Sequence, residues 1–234
     1  MTTFYKGDCI EQMSKLNTNS IDFIYFNPPF GTTRQYWDEK LDWKKIFKEC
    51  FRLLKPNGTL AIHCSVPFNY TLIREAPRAP NYSWYWNKIN PTTPLLAKRQ
   101  PMRQVEEILI WTHTKYNPQR VGTEKRICKS SGITKYVDYK HCKPIEPKEV
   151  IGKYQTHLIE SKICLRGFAT RPDSLIELFI KSYTNEGDVI LDPTCYEGLS
   201  GRIAKSLKRK WIGIDKRFFP RELIENVPAR WTNS

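Results

Sequence analysis

The chain has 234 residues, 40% of them hydrophobic and 13% aromatic, enough for a substantial core and enough to exclude an intrinsically disordered chain. Its longest apolar runs, such as Ile21–Phe26, are strand-length, far short of the roughly 20 residues of a membrane span, and the N-terminus lacks a basic region followed by an apolar stretch, so no membrane partner and an intracellular location are expected. Lys and Arg number 38 against 24 Asp and Glu, a net charge of +14 that points to a polyanionic partner and says nothing about fold.

Ile21 to Phe26 reads as a buried strand stopped by Asn27-Pro28-Pro29-Phe30. Trp43, Ile46, Phe47, Cys50, Phe51 and Leu54 recur at helical spacing, and Lys55-Pro56-Asn57-Gly58 ends that helix. Thr59–Cys64 and Val105–Thr112 are two further strands. Strand, helix and strand with short joints predict an α/β sheet.

From Lys115 to Gly167 the chain is polar, basic and turn-rich, with neither helical nor strand period. It reads as an irregular insert dividing the chain into residues 1–114, 115–167 and 168–234. Between Lys115 and Arg171 stand thirteen Lys and Arg against five Asp and Glu, more than half of the whole surplus. That concentration predicts a nucleic-acid surface whose lysines neutralise phosphates, with Arg120, Arg126 and Arg166 as candidates for guanine edges.

Beyond the insert, Leu175, Ile176, Phe179, Ile180 and Tyr183 form a helical stripe, and Glu186-Gly187-Asp188 is a turn. Val189-Ile190-Leu191 is a strand ending at Asp192, a helix spans roughly Ser200 to Leu207, and Trp211–Ile214 is a strand ending at Asp215. The seven cysteines are odd in number and irregularly spaced, so reduced thiols are expected. Cys128, His141, Cys142, His157 and Cys164 fall in or beside the basic segment without a paired knuckle spacing, and no metal is predicted.

In a doubly wound sheet, ligands sit at the carboxyl ends of the strands, here marked by Asn27-Pro28-Pro29-Phe30, Asp192 and Asp215. Asp215 follows the turn after Asp192 by about twenty residues, the offset at which an acid reaches a ribose diol. Two prolines fix the backbone so that the Asn27 side chain and the Pro28 carbonyl can accept from one exocyclic amine, while Phe30 offers a face to a planar base. Two acceptors on such an amine localise its lone pair and aim it at a methyl donor, which is catalysis by positioning and electrostatics.

These features in this order resemble the beta class of amino-group DNA methyltransferases, in which the target-base motif precedes the cofactor motif. Tyr5-Lys6-Gly7-Asp8-Cys9 is similar to the family's opening, and Arg52-Leu53-Leu54-Lys55-Pro56-Asn57-Gly58 to its next helix and turn. Trp86-Asn87-Lys88 and Glu106–Ile110 resemble the landmarks before its target-recognition region. Arg171-Pro172-Asp173-Ser174-Leu175, Asp192-Pro193-Thr194-Cys195-Tyr196-Glu197-Gly198 and Trp211–Asp215 resemble its cofactor motifs.

The resemblance implies a Rossmann-like methyltransferase sheet, mixed but mostly parallel and flanked by helices, with permuted motif order and the basic insert as target-recognition region. It implies S-adenosylmethionine as cofactor, double-stranded DNA as partner and homodimers as the common assembly. The catalytic motif would be Asn27, Pro28, Pro29 and Phe30. Asp8 would lie by the adenine, Asp215 on the ribose, and Asp192 and Gly198 by the methionine end, which Arg171, Pro172 and Leu175 help wall. Pro193, Thr194 and Tyr196 complete the cofactor turn.

Asn at the first motif position resembles the adenine-N6 subgroup, with cytosine N4 as the alternative; C5 chemistry would need a Pro-Cys pair, which the sequence lacks. A duplex substrate must have its base extruded, and Gly31–Asp38 is a candidate lip for that step. Tyr196 stands where the family has its first turn glycine, and tyrosine tolerates positive φ poorly. A turn remodelled with the Tyr196 ring over the ligand is therefore expected, against the alternative of an inactive DNA-binding protein. RNA phosphates would suit the insert equally well.

Overall fold

The computed structural model describes residues 2–112, 115–128, 148–163 and 171–217. Its elements are β1 (Thr2–Lys6), α1 (Cys9–Ser14), β2 (Ile21–Phe26), α2 (Trp43–Leu53), β3 (Leu54–Cys64), α3 (Phe68–Glu75), β4 (Tyr82–Thr92), a 3-10 turn (Pro94–Leu96) and β5 (Arg103–Trp111). There follow β6 (Arg120–Cys128), β7 (Lys148–Tyr154), β8 (Leu158–Glu160), α4 (Asp173–Tyr183), β9 (Val189–Asp192), α5 (Leu199–Ser206) and β10 (Lys210–Asp215). The main unit comprises residues 1–117 and 157–234, and residues 118–156 form a second compact unit.

The main unit carries an eight-stranded sheet in the order β1-β10-β9-β2-β3-β5-β4-β8, every strand parallel to its neighbours except β5. It is the mixed, mostly parallel sheet expected. Both of its faces are buried, which is why β2 is an unbroken apolar run. Phe23 and Tyr25 point into one core with α4 and α5, while Ile24 and Phe26 point into the other with α1, α2 and α3. Ile108 and Ile110 of β5 alternate in the same way with Leu109 and Trp111.

Helix α2 buries the stripe Trp43, Ile46, Phe47, Cys50 and Leu53, and its N-terminal amide at Lys45 is capped by the Asp42 carboxylate at 3.1 Å. Lys55–Gly58 does not form a separate turn after this helix. The four residues belong to β3 as a large bulge, since Ile21 pairs Leu54 and Phe23 already pairs Thr59.

The insert is more regular than its sequence suggests. Strands β6 and β7 form a two-stranded antiparallel ribbon in the second unit, with Arg120 over the Tyr154 ring at 4.0 Å and Lys125 paired to Glu149 at 3.3 Å. Strand β8, also inside the predicted insert, pairs with β4 in the main sheet. Residues 129–147 and 164–170, with His141, Cys142, Cys164 and Arg166, lie outside the described residues. Among those described, no helix is long and apolar enough to cross a membrane.

Candidate functional site

At the carboxyl ends of β1, β10, β9 and β2 opens a cavity of about 740 Å³. Asp8, Asn27, Pro28, Pro29, Phe30, Arg171, Asp192, Pro193, Thr194, Tyr196 and Asp215 all line it. Three expected residues are not part of that lining. Pro172 is the N-cap of α4, Leu175 is fully buried in the core, and Gly198 is the N-cap of α5 with φ +77°.

Two strand ends are joined directly, because the Thr194 hydroxyl donates to the Asn27 carbonyl at 3.1 Å. The Asn-Pro-Pro-Phe segment and the Asp-Pro-Thr turn are thus fixed relative to one another, although 167 positions separate the two residues. Pro28 is buried and Asn27 half-buried. The Phe30 ring stacks on Phe68, with centroids 5.0 Å apart and planes at 22°.

Asp192 ends β9 and is 4% exposed. Its Oδ1 accepts the Thr194 amide at 3.3 Å and its Oδ2 the Ser200 hydroxyl, which itself accepts from the Trp211 indole at 3.1 Å. The indole can only donate, so the Ser200 proton is directed at Asp192. Burial pushes the Asp192 carboxyl up to about 7, against the lowering effect of these two donors.

Asp215 ends β10 and accepts the Tyr196 amide at 2.8 Å on one oxygen and the Arg217 amide at 2.9 Å on the other. Asp8 caps α1, accepting from Ile10 at 3.0 Å and Glu11 at 3.2 Å. The Gly7 amide donates to the Asp215 carbonyl at 3.0 Å, which brings the ends of β1 and β10 together at the cavity.

The turn after Asp192 contains a left-handed residue. Tyr196 itself adopts φ +50°, a conformation that costs an L-residue about 1–2 kcal/mol. The hydrogen bond from its backbone N–H to the Asp215 carboxylate holds it there.

Sequence reasoning missed Asp38, which organises the loop after the Pro-Pro motif. Its carboxylate accepts the amides of Gly31 at 2.7 Å, Thr32 at 2.9 Å and Thr33 at 2.6 Å, and the Thr33 hydroxyl at 2.6 Å. Burial raises the Asp38 pKa, but the Thr33 hydroxyl and the three amides outweigh it and hold the carboxyl below its usual value. Glu39, next in the chain, pairs with Arg217 and with Lys216 at 3.6 Å. The expected lip is therefore a folded loop tied across to the end of β10.

A buried charge cluster was missed as well. Glu106 on β5 receives His63 Nδ1 of β3 at 2.8 Å, Arg171 at 2.7 Å and Lys88 of β4 at 3.1 Å. Burial pushes the Glu106 pKa up, yet Arg171 first, then the His63 hydrogen bond and Lys88, hold it far below the usual carboxylate range. Burial pushes the His63 pKa down, against the raising effect of its hydrogen bond to Glu106. Arg171 belongs both to this cluster and to the cavity lining.

The DNA methylase family that unites N6 and N4 amino-methylating enzymes matches residues 21–225. The chain is 29% identical to the type II methyltransferase M.BamHI of Bacillus amyloliquefaciens over 90% of its own length, and it spans 53% of the length of that relative. Among solved structures it is similar to the PvuII DNA methyltransferase, named as cytosine-N4-specific, with a TM-score of 0.63 and 16% identity over 97% of this chain and 88% of that one. It is also similar to the M1.HpyAVI–SAM complex, with a TM-score of 0.58 and 21% identity over 93% and 94%. The chain belongs to the N6 and N4 DNA methylase family.

Proposed function

We propose that this chain transfers a methyl group from S-adenosylmethionine to the exocyclic N6 of adenine in double-stranded DNA. The observation that carries this reading is the Thr194–Asn27 hydrogen bond, which sets the amine-accepting motif and the acidic strand ends around one cavity. The cavity falls within the roughly 300–1,000 Å³ of small-molecule sites. Its residues suit the cofactor. Asp215 offers a carboxylate to a ribose diol, and the buried Asp192 carboxyl favours a cationic ligand that stabilises its ionised form.

When bound, S-adenosylmethionine supplies an electrophilic methyl group. The chain supplies position. Asn27 and the Pro28 carbonyl accept the two N–H groups of the extruded base, and Phe30 provides an apolar face. The two-stranded ribbon of β6 and β7 reads the target, a ribbon being narrow enough for the major groove.

Asn27 favours adenine by its resemblance to the adenine-N6 subgroup. The likeness to an N4-specific enzyme makes cytosine N4 the second reading. Incubation of unmethylated duplex DNA with methyl-labelled cofactor, followed by digestion and mass spectrometry of the nucleosides, separates the two. N6-methyladenine is expected, and N4-methylcytosine would overturn the acceptor while leaving amino-group transfer intact. Calorimetric cofactor binding with no label in any nucleoside would identify an inactive DNA-binding protein.

Asp192 predicts a pH dependence. With a folded pKa of about 7 against an ordinary 3.8, this group destabilises the free protein progressively as pH rises from about 4 to about 7, because only the folded state holds the proton. Asp192→Asn should flatten that part of the melting temperature against pH. Cofactor affinity has the opposite slope. A cation beside Asp192 requires the ionised form, so calorimetry should show affinity falling below pH 7 by up to about tenfold per pH unit, and no such slope in Asp192→Asn.

A further inference from the structure

The hairpin formed by β4 and β5 is not part of the cavity, yet the sheet topology aims it at the cavity's edge. Cys64, the last residue of β3, pairs Glu107, so residues 103–106 and their partners on β4 run on beyond the carboxyl end of β3. Asn27–Phe30 leave β2 at this same edge, where Phe26 pairs Ile62. Four further residues carry the ribbon about 13 Å outward before the 3-10 turn at Pro94–Leu96 caps it.

The composition of this arm is unusual. From Asn87 to Val105 there are four cations, Lys88, Lys98, Arg99 and Arg103, and no acid. Lys88 is committed to Glu106, whereas Lys98, Arg99 and Arg103 are exposed at the tip. Among them sits Leu95, 96% exposed, with Ile89, Leu96 and Met102 also uncovered. Ile89 and Thr93 hold φ +59° and +67°, two β-branched residues in a conformation that only a constrained backbone imposes. An apolar residue presented on a braced, cationic tip needs a partner that is anionic outside and apolar within. A second copy of this basic chain would set cation against cation. Duplex DNA offers phosphates and, behind them, the stack.

We propose that the β4–β5 hairpin is a second DNA-gripping element, in which Lys98, Arg99 and Arg103 lie on phosphates and Leu95 enters the duplex beside the extruded base. This rests on the methyltransferase reading above. Extrusion leaves a gap in the stack, and an apolar wedge that fills it offsets the loss of stacking.

The test uses the full chain and the methylated site mapped on product DNA. Anisotropy on a fluorescent duplex between 50 and 200 mM salt should show the triple variant Lys98→Ala, Arg99→Ala, Arg103→Ala lowering the salt slope by about 2–3, from roughly 0.9 per phosphate contact. Leu95→Ser should leave that slope unchanged. It should reduce about tenfold the extruded population reported by a fluorescent base analogue at the target position. An unchanged slope in the triple variant, or unchanged extrusion in Leu95→Ser, overturns the proposal while wild-type methylation continues. Failure of the wild type itself to methylate overturns the parent reading instead. If Leu95→Ser turns a dimer into a monomer in sedimentation and leaves extrusion intact, the tip is a protein interface and the proposal is wrong.

Discussion

Asn27→Ala is expected to retain near-parental affinity for cofactor and DNA while losing about 10²–10³-fold in the rate of methyl transfer, the loss typical of removing one preorganised hydrogen-bonding group. The reason is local. An exocyclic amine conjugated to its ring is a weak nucleophile, and only acceptors placed ahead of time localise its lone pair. Asn27 is placed in that way. Its own carbonyl is held by Thr194, and the next two residues are prolines whose φ is fixed near −65°. The side chain therefore leaves the strand end in one direction without the entropy of a free loop. Asn27→Asp, which keeps an acceptor oxygen, should retain more activity than the alanine variant. Single-turnover kinetics with labelled cofactor, alongside anisotropy for DNA, separate transfer from binding. Parental transfer by Asn27→Ala would remove Asn27 from catalysis.

What could be read before folding depended on how each element meets solvent. Strands β2 and β3 and the second half of β5 are buried on both faces, so Ile21–Phe26, Thr59–Cys64 and Ile108–Trp111 stand out as largely apolar runs. Helices α2 and α4 bury one stripe each, and their period shows. The ribbon of β6 and β7 exposes Val121, Ile127, Ile151 and Tyr154 among charges, so it has no apolar face to betray it. In β4 the alternation is short and written in aromatics: Trp84 and Trp86 are buried while Tyr85 between them is exposed.

At the site, strand-end motifs were legible because prolines and acids interrupt apolar runs. Asp38 was not, since its meaning lies in three consecutive amides that turn toward it only after the loop closes. The Tyr196 turn is a third kind of case. The residue type argued against a left-handed backbone, and the carboxylate of Asp215 fixes that backbone all the same.

The cluster around Glu106 was the least legible feature and carries the largest expected effect on stability. His63, Lys88, Glu106 and Arg171 are scattered in sequence, and only the adjacency of β3, β5 and β4 brings the first three together. Glu106 is 3% exposed and Arg171 9%, so their charges have left water and depend on each other. Glu106→Gln keeps the shape and an acceptor for His63, but it removes the negative charge that Arg171 and Lys88 share. Removing one partner of a buried pair costs about 3–5 kcal/mol, which for a chain of this size lowers the melting temperature on the order of 10 °C.

The pH behaviour has a definite sign. Because the folded pKa of Glu106 lies below its ordinary 4.5, its stabilisation is complete above that value and is lost as pH falls through the folded pKa. Wild type should therefore lose stability in acid more steeply than Glu106→Gln. Arg171 also faces the cavity, so the variant should bind cofactor more weakly at temperatures where it is still folded. Thermal melts from pH 3 to 7 with calorimetry at 15 °C read both effects. Equal melting temperatures for the two proteins at neutral pH would show that Arg171 is held in place by something other than Glu106.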